Sequence, residues 1–147
     1  MGRPLTIALR ACSALALLAL SMPAAVAQDT AAQVKTSADG KFLTDAEGMS
    51  LYLFEADSEN TSTCYDDCAA AWPPLLTEGE PTAEGEVDAA KLSTIERKDG
   101  STQVTYGGWP LYYFVKDQAP GDVQGQDVEG FGAEWYLVAP DGEKFEE

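Results

Sequence analysis

The chain has 147 residues, with 25 acidic against nine basic, no histidine and a formal net charge of −16 at pH 7. That length suits one domain, and that charge repels nucleic acid and anionic lipid while favouring solubility and basic or cationic partners. Without histidine, Ser-His-Asp and Cys-His catalysis, imidazole metal sites and CxxCH haem attachment are all excluded.

In chain order, residues 1–27 predict an export signal. Arg3 and Arg10 form a basic start, an apolar run follows from Ala11 to Leu20, and Ala25-Val26-Ala27 is a small-x-small cleavage site. The run is too short to span a bilayer as a helix and no later stretch is long enough, so no transmembrane segment is expected in the mature chain. Cys12 sits at the head of this run, whereas a lipid-attachment cysteine follows it. Cleavage after Ala27 leaves residues 28–147 with seven basic and 25 acidic residues, a net −18. An uncleaved anchor is the alternative. The expected location is periplasmic or secreted.

Residues 28–35 read as a loose leader into the first strand. Next, "DGKFLTDAEGMSLYLFEAD" (39–57) lies over "DGSTQVTYGGWPLYYFVKD" (99–117) without a gap, and seven of the 19 positions are identical. With a shift of three, "WPPLLTEG" (72–79) parallels "WYLVAPDG" (135–142). This duplication predicts two repeats, about 32–79 and 92–142, joined by the acidic, aperiodic connector 77–90. Asp39-Gly40 and Asp99-Gly100 are hairpin turns, since glycine tolerates positive φ. Each half therefore reads as a three-stranded meander, and a final hairpin at Asp141-Gly142 is placed to pair across the halves. Leu51 and Leu53 alternate with Tyr52 and Phe54, as Leu111 and Tyr113 do with Tyr112 and Phe114. Strands apolar on both faces are central ones. The Tyr52 and Tyr112 phenols then need hydrogen-bond partners, and Asp57 and Asp117 are expected to cap the turns that follow, with a ligand-binding pair as the alternative. The expected fold is all-β: two pseudo-repeated meander halves sharing one core.

One short helix is expected in "DDCAAAW", with Thr63 and Asp66 at capping-box spacing and Pro73-Pro74 as its stop. Cys64 and Cys68 flank its first turn, and on an export route they default to a disulfide. So small a ring contributes only about 2 kcal/mol and pins a local loop.

The two Tyr-x-Phe-x-x-Asp copies, the "STCYDDCAAAWPPL" block and "YGGWPLYYFVKDQAPGDVQGQ" together resemble the bacterial secreted-repeat and predicted-lipoprotein family, named for its Yx(F/W/Y)xxD motif. The resemblance covers roughly 32–142. Carried over by position, the motif residues are Tyr52, Phe54, Asp57, Tyr112, Phe114 and Asp117, with Cys64, Cys68, Trp72, Pro73 and Pro74 in the second block. The resemblance implies an envelope or secreted location and supplies no activity. Many members carry a lipobox; this chain has none.

The leading functional expectation is a non-catalytic binding or structural module, with no cofactor, whose partner is an envelope protein, glycan or small ligand. Trp109, Tyr113, Tyr106 and Phe131 are candidates for an apolar groove, although aromatics in a small β protein are more often core. The alternative is cation binding by Asp57, Glu59, Asn60, Asp66 and Asp67, whose oxygens suit calcium. That loop lacks the EF-hand glycine and has Cys68 where a bidentate glutamate belongs. Copper or redox chemistry at reduced Cys64 and Cys68, helped by Met49, is a further reading. A carboxylate-only hydrolase is the last.

Overall fold

In the computed structural model, which describes Gly2 and residues 31–147, the Asp-Gly pairs turn the chain back in both repeats. β1 (Gln33–Thr36) and β2 (Leu43–Asp45) form an antiparallel hairpin around Gly40, whose φ of 75° suits glycine. The third strand, β3 (Tyr52–Phe54), is buried at every position. A short helix, α1 (Asp67–Ala71), follows, and then β4 (Thr82–Ala83), parallel to β1. The second repeat opens with a second antiparallel hairpin, β5 (Leu92–Glu96) and β6 (Thr102–Tyr106), with Gly100 at φ 85°. β7 (Trp109–Pro110) completes its meander, and β8 (Val128–Gly130) pairs with β9 (Ala133–Leu137). The three sheets run β2-β1-β4, β3-β9-β8 and β5-β6-β7. Among the described residues the fold is therefore mostly strand with one short α-helix, as expected. The expected export segment apart from Gly2, with the expected cleavage after Ala27 and with Cys12, lies outside the described residues.

What joins the repeats is an exchange of segments. β9 of the second repeat runs antiparallel along β3 of the first, pairing Tyr52 with Leu137 and Phe54 with Trp135. In return, the chain after α1 runs along the second signature. Leu75 N donates to Leu111 O at 2.9 Å, Tyr113 N to Pro73 O at 2.7 Å and Val115 N to Ala71 O at 3.1 Å. A full strand equivalent to β3 is expected at 111–114, yet only bridges at Tyr112 form there. Pro73-Pro74 is the reason: neither has an N–H, so their segment cannot close a regular ladder.

Alternation along the signatures sorts the side chains onto two faces, so the shared core has two layers. Leu51, Leu53 and Leu111 join a mainly aliphatic cluster with Val34 and Val104. Tyr52, Phe54, Tyr112 and Phe114 join an aromatic one. Its spine is four stacked rings in the order Phe54, Trp135, Trp72 and Phe114, with centroids 4.0, 3.9 and 4.0 Å apart. Each phenylalanine stacks on the tryptophan of the other repeat. Such pairs contribute about 0.5–1.5 kcal/mol each beyond their burial.

Two local expectations need correction. Thr63 does not cap α1: Asp66 holds the cap position, at φ 54° and with no side-chain cap bond. The Thr63 N–H and hydroxyl are both engaged by Asp57 Oδ1 instead. Nor is 77–90 simply an exposed connector. Thr77 is buried, Val87 joins the aliphatic cluster, and β4 pairs with β1.

Candidate functional site

Each signature ends in a tight turn: Asp57 N donates to Phe54 O at 3.0 Å, and Asp117 N to Phe114 O at 3.1 Å. The turn tucks both carboxylates inward, leaving Asp57 6% and Asp117 8% exposed. One oxygen of each caps the loop that follows. Asp57 Oδ1 accepts from Thr63 N at 2.7 Å and Thr63 Oγ1 at 2.8 Å, while Asp117 Oδ1 accepts from Gln124 N at 2.8 Å. The other oxygen reaches the opposite repeat. Tyr52 OH donates to Asp117 Oδ2 and Tyr112 OH to Asp57 Oδ2, both at 2.6 Å. The repeated motif thus closes as a reciprocal clasp, the tyrosine of each copy held by the aspartate of the other.

Burial pushes both carboxyls above the usual carboxylate range, outweighing the tyrosine and backbone bonds that lower them. Burial also raises the Tyr52 and Tyr112 phenols, and their aspartate partners reinforce the shift. The clasps differ in what backs them. Tyr52 OH also accepts from Gly125 N at 3.1 Å. Tyr112 OH instead lies 2.6 Å from Ser62 Oγ, which accepts from Arg97 Nη1 at 2.9 Å. Arg97 also donates to Gln103 Oε1 at 2.8 Å and Cys64 O at 2.6 Å. Cys64 is disulfide-bonded to Cys68. Ser62, Arg97 and Gln103 escape sequence reasoning because they read as ordinary polar residues of a loop, a strand end and a strand.

The four groove candidates do not line one groove. Tyr106 is in the aliphatic core, its hydroxyl donating to Pro140 O. Trp109 and Tyr113 pack against that core, and Phe131 is 52% exposed on the β8–β9 turn. The acidic loop does not converge either. Asp57 faces Thr63 and Tyr112, Asp66 sits at the N-terminal cap position of α1 without a cap bond, and Asp67 opens the helix. Among the described residues no three Asp, Glu or Cys side chains are grouped to hold a metal ion.

An open cleft of about 730 Å³ lies between the repeats, lined by Asp45, Glu47, Leu76, Glu78, Ser101 and Tyr113 among others. Asp45 is buried and fully engaged. Its Oδ1 accepts from Glu47 N and Met49 N at 2.9 Å, and its Oδ2 from Tyr113 OH at 2.8 Å. Glu47, Leu76 and Glu78 are exposed. The lining comes from separate segments of both repeats, so nothing in the linear order marks it.

Among the described residues no helix is long and apolar enough to cross a membrane. No curated protein and no solved structure matches the chain. One family model, described as a secreted repeat of unknown function, matches twice, over residues 33–76 and 93–139. The two matches fall on the halves that the Tyr–Asp clasp ties together. The chain belongs to this family of secreted repeats.

Proposed function

We propose that the chain is an exported, non-catalytic binding module, working in the periplasm or outside the cell, and that its ligand face is the cleft between the repeats. What carries this reading is the contrast between motif and cleft. The motif's polar groups, Tyr52, Asp57, Tyr112 and Asp117, are buried and bonded to one another, which supports a role in holding the repeats together. The cleft instead offers the exposed carboxylates of Glu47 and Glu78 beside Leu76, which is 47% exposed. Two carboxylates beside an apolar surface suit a partner that carries an amine or guanidinium next to an apolar group.

The test is a chemical-shift titration of the full chain with a short peptide containing adjacent leucine and lysine. Shifts centred on Leu76 and Tyr113, lost when Glu47 and Glu78 are both changed to lysine, are the expected result. Shifts confined to other surfaces would remove the cleft assignment. Turnover of a glycan or peptide substrate, with a pH profile set by two carboxylates, would remove the non-catalytic one.

A further inference from the structure

β5 is a five-residue strand at the edge of its sheet. Its register with β6 pairs Leu92 with Tyr106 and Glu96 with Thr102. The flanking bonds, Gly107 N to Lys91 O at 3.0 Å and Arg97 N to Ser101 O at 2.7 Å, set which residues bond inward. Stepping by two, Lys91, Ser93, Ile95 and Arg97 turn their backbone groups towards β6. Leu92, Thr94 and Glu96 therefore turn theirs outward. Val104, opposite Thr94, confirms the phase, because it bonds away from β5 to Leu75 and Leu111. The Leu92 N–H closes on Ala89 O. Among the described residues the Leu92 C=O and both backbone groups of Thr94 and Glu96 have no partner.

Exposed strand edges are ordinarily blunted by proline, bulges, outward lysines or short length. The outward positions of β5 carry leucine, threonine and glutamate. The other edge strands, such as β4 with two residues and β8 with three, are shorter. We propose that the outer edge of β5 is a strand-addition site for an extended, basic segment of a partner protein. Backbone groups of Leu92, Thr94 and Glu96 supply the ladder, and their side chains supply the selection. In an antiparallel pairing the incoming strand places a basic residue opposite Glu96, a β-branched or hydroxyl residue opposite Thr94 and an apolar residue opposite Leu92. The chain's net charge of −16 favours a basic partner over a second copy of itself, and Lys91, Arg97 and Lys98 at the ends of β5 confine that preference to the position opposite Glu96.

The experiment uses the full chain and a short capped peptide with Lys, Thr and Leu at alternate positions, read by amide hydrogen exchange and by affinity at low and physiological salt. Binding should protect the Thr94 and Glu96 amides and weaken as salt rises. Thr94→Pro removes an outward N–H only, so the inward Ser93 and Ile95 amides should stay protected while peptide affinity falls at least tenfold. Glu96→Lys, which leaves the backbone untouched, should cut affinity for the Lys peptide severalfold and raise it for a Glu-bearing one. Undiminished binding in either variant, or no binding at all, overturns the proposal. So does a concentration-dependent dimer of the free chain that Thr94→Pro abolishes, which would assign this edge to a second copy.

Discussion

Tyr52 and Tyr112 exchange both backbone hydrogen bonds, at 2.8 and 3.0 Å, so the equivalent residues of the two repeats are direct antiparallel neighbours. From that point each phenol reaches the aspartate of the other copy. The motif is duplicated because each half needs the other's copy to satisfy its own buried polar atoms.

Removing one phenol oxygen leaves a buried carboxylate short of a donor. Tyr52→Phe and Tyr112→Phe should each cost about 1–3 kcal/mol in urea unfolding. Each change also strips a second partner, the Gly125 N–H in Tyr52→Phe and the Ser62 hydroxyl in Tyr112→Phe, so the two costs should be similar. Pairing Tyr112→Phe with Asp57→Asn should be clearly less than additive, and pairing it with Asp117→Asn close to additive. Equal coupling in both pairs would contradict the cross-repeat assignment.

Burial holds the folded-state pKa of Asp57 and Asp117 above the unfolded value of 3.8. A raised pKa means the folded state binds the proton more readily. The stabilisation is fully present below the unfolded value and is lost as pH rises through the folded one. Unfolding midpoints should therefore rise as pH is lowered from neutral towards about 4, helped by relief of the overall negative charge. Asp57→Asn/Asp117→Asn should flatten that rise relative to the parent. A parent that loses stability steadily from pH 7 to 5 would refute this assignment.

Much of this architecture is legible before any coordinates. The Asp-Gly pairs announce hairpins because few dipeptides accept positive φ, and the Leu-Tyr-Leu-Phe alternation announces a strand covered on both faces. The need for phenol partners is legible too, but not which partners they are. Asp117 is 65 residues from Tyr52, and only the exchange of segments brings them together. Pro73-Pro74 reads as a helix stop, yet it also sits against the second signature and breaks its ladder. Arg97 reads as a surface residue. Its burial depends on acceptors from three separate places, Ser62, Cys64 and Gln103. The cleft has no linear signal, since its walls come from both repeats.

Gly125 is required for space rather than for conformation. A Cβ there would fall 2.7 Å from Tyr52 Cε1 and 2.8 Å from Trp72 Cζ3, inside the aromatic layer. Those rings are locked by stacking and by the clasp, so they have little room to yield. Gly125→Ala should cost about 1–3 kcal/mol by overpacking. Near-UV circular dichroism should also change, since Trp72 and Trp135 stack at 3.9 Å. A silent Gly125→Ala would mean that this layer is looser than its geometry implies.

Arg97 is 4% exposed, with its guanidinium 4.3 Å from the centre of the Tyr65 ring. It touches no carboxylate among the described residues; Asp57 is reached only through Ser62 and Tyr112. Its charge nevertheless counteracts part of the burial effect on Asp57. Arg97→Met should leave Ser62, Gln103 and the Cys64 carbonyl short of a donor and cost about 1–3 kcal/mol, as buried acceptors left unsatisfied do. Arg97→Lys keeps the charge but not the planar fork, and should cost less. The two variants also separate by titration. Without the positive charge the Asp57 pKa should climb further, so the stability gained on acidification should begin at higher pH in Arg97→Met than in the parent, with Arg97→Lys close to the parent. Carboxyl carbon shifts of Asp57 followed against pH would read this directly. An Asp57 titration unmoved in Arg97→Met would show that the arginine acts on the clasp through packing and hydrogen bonds rather than through its charge.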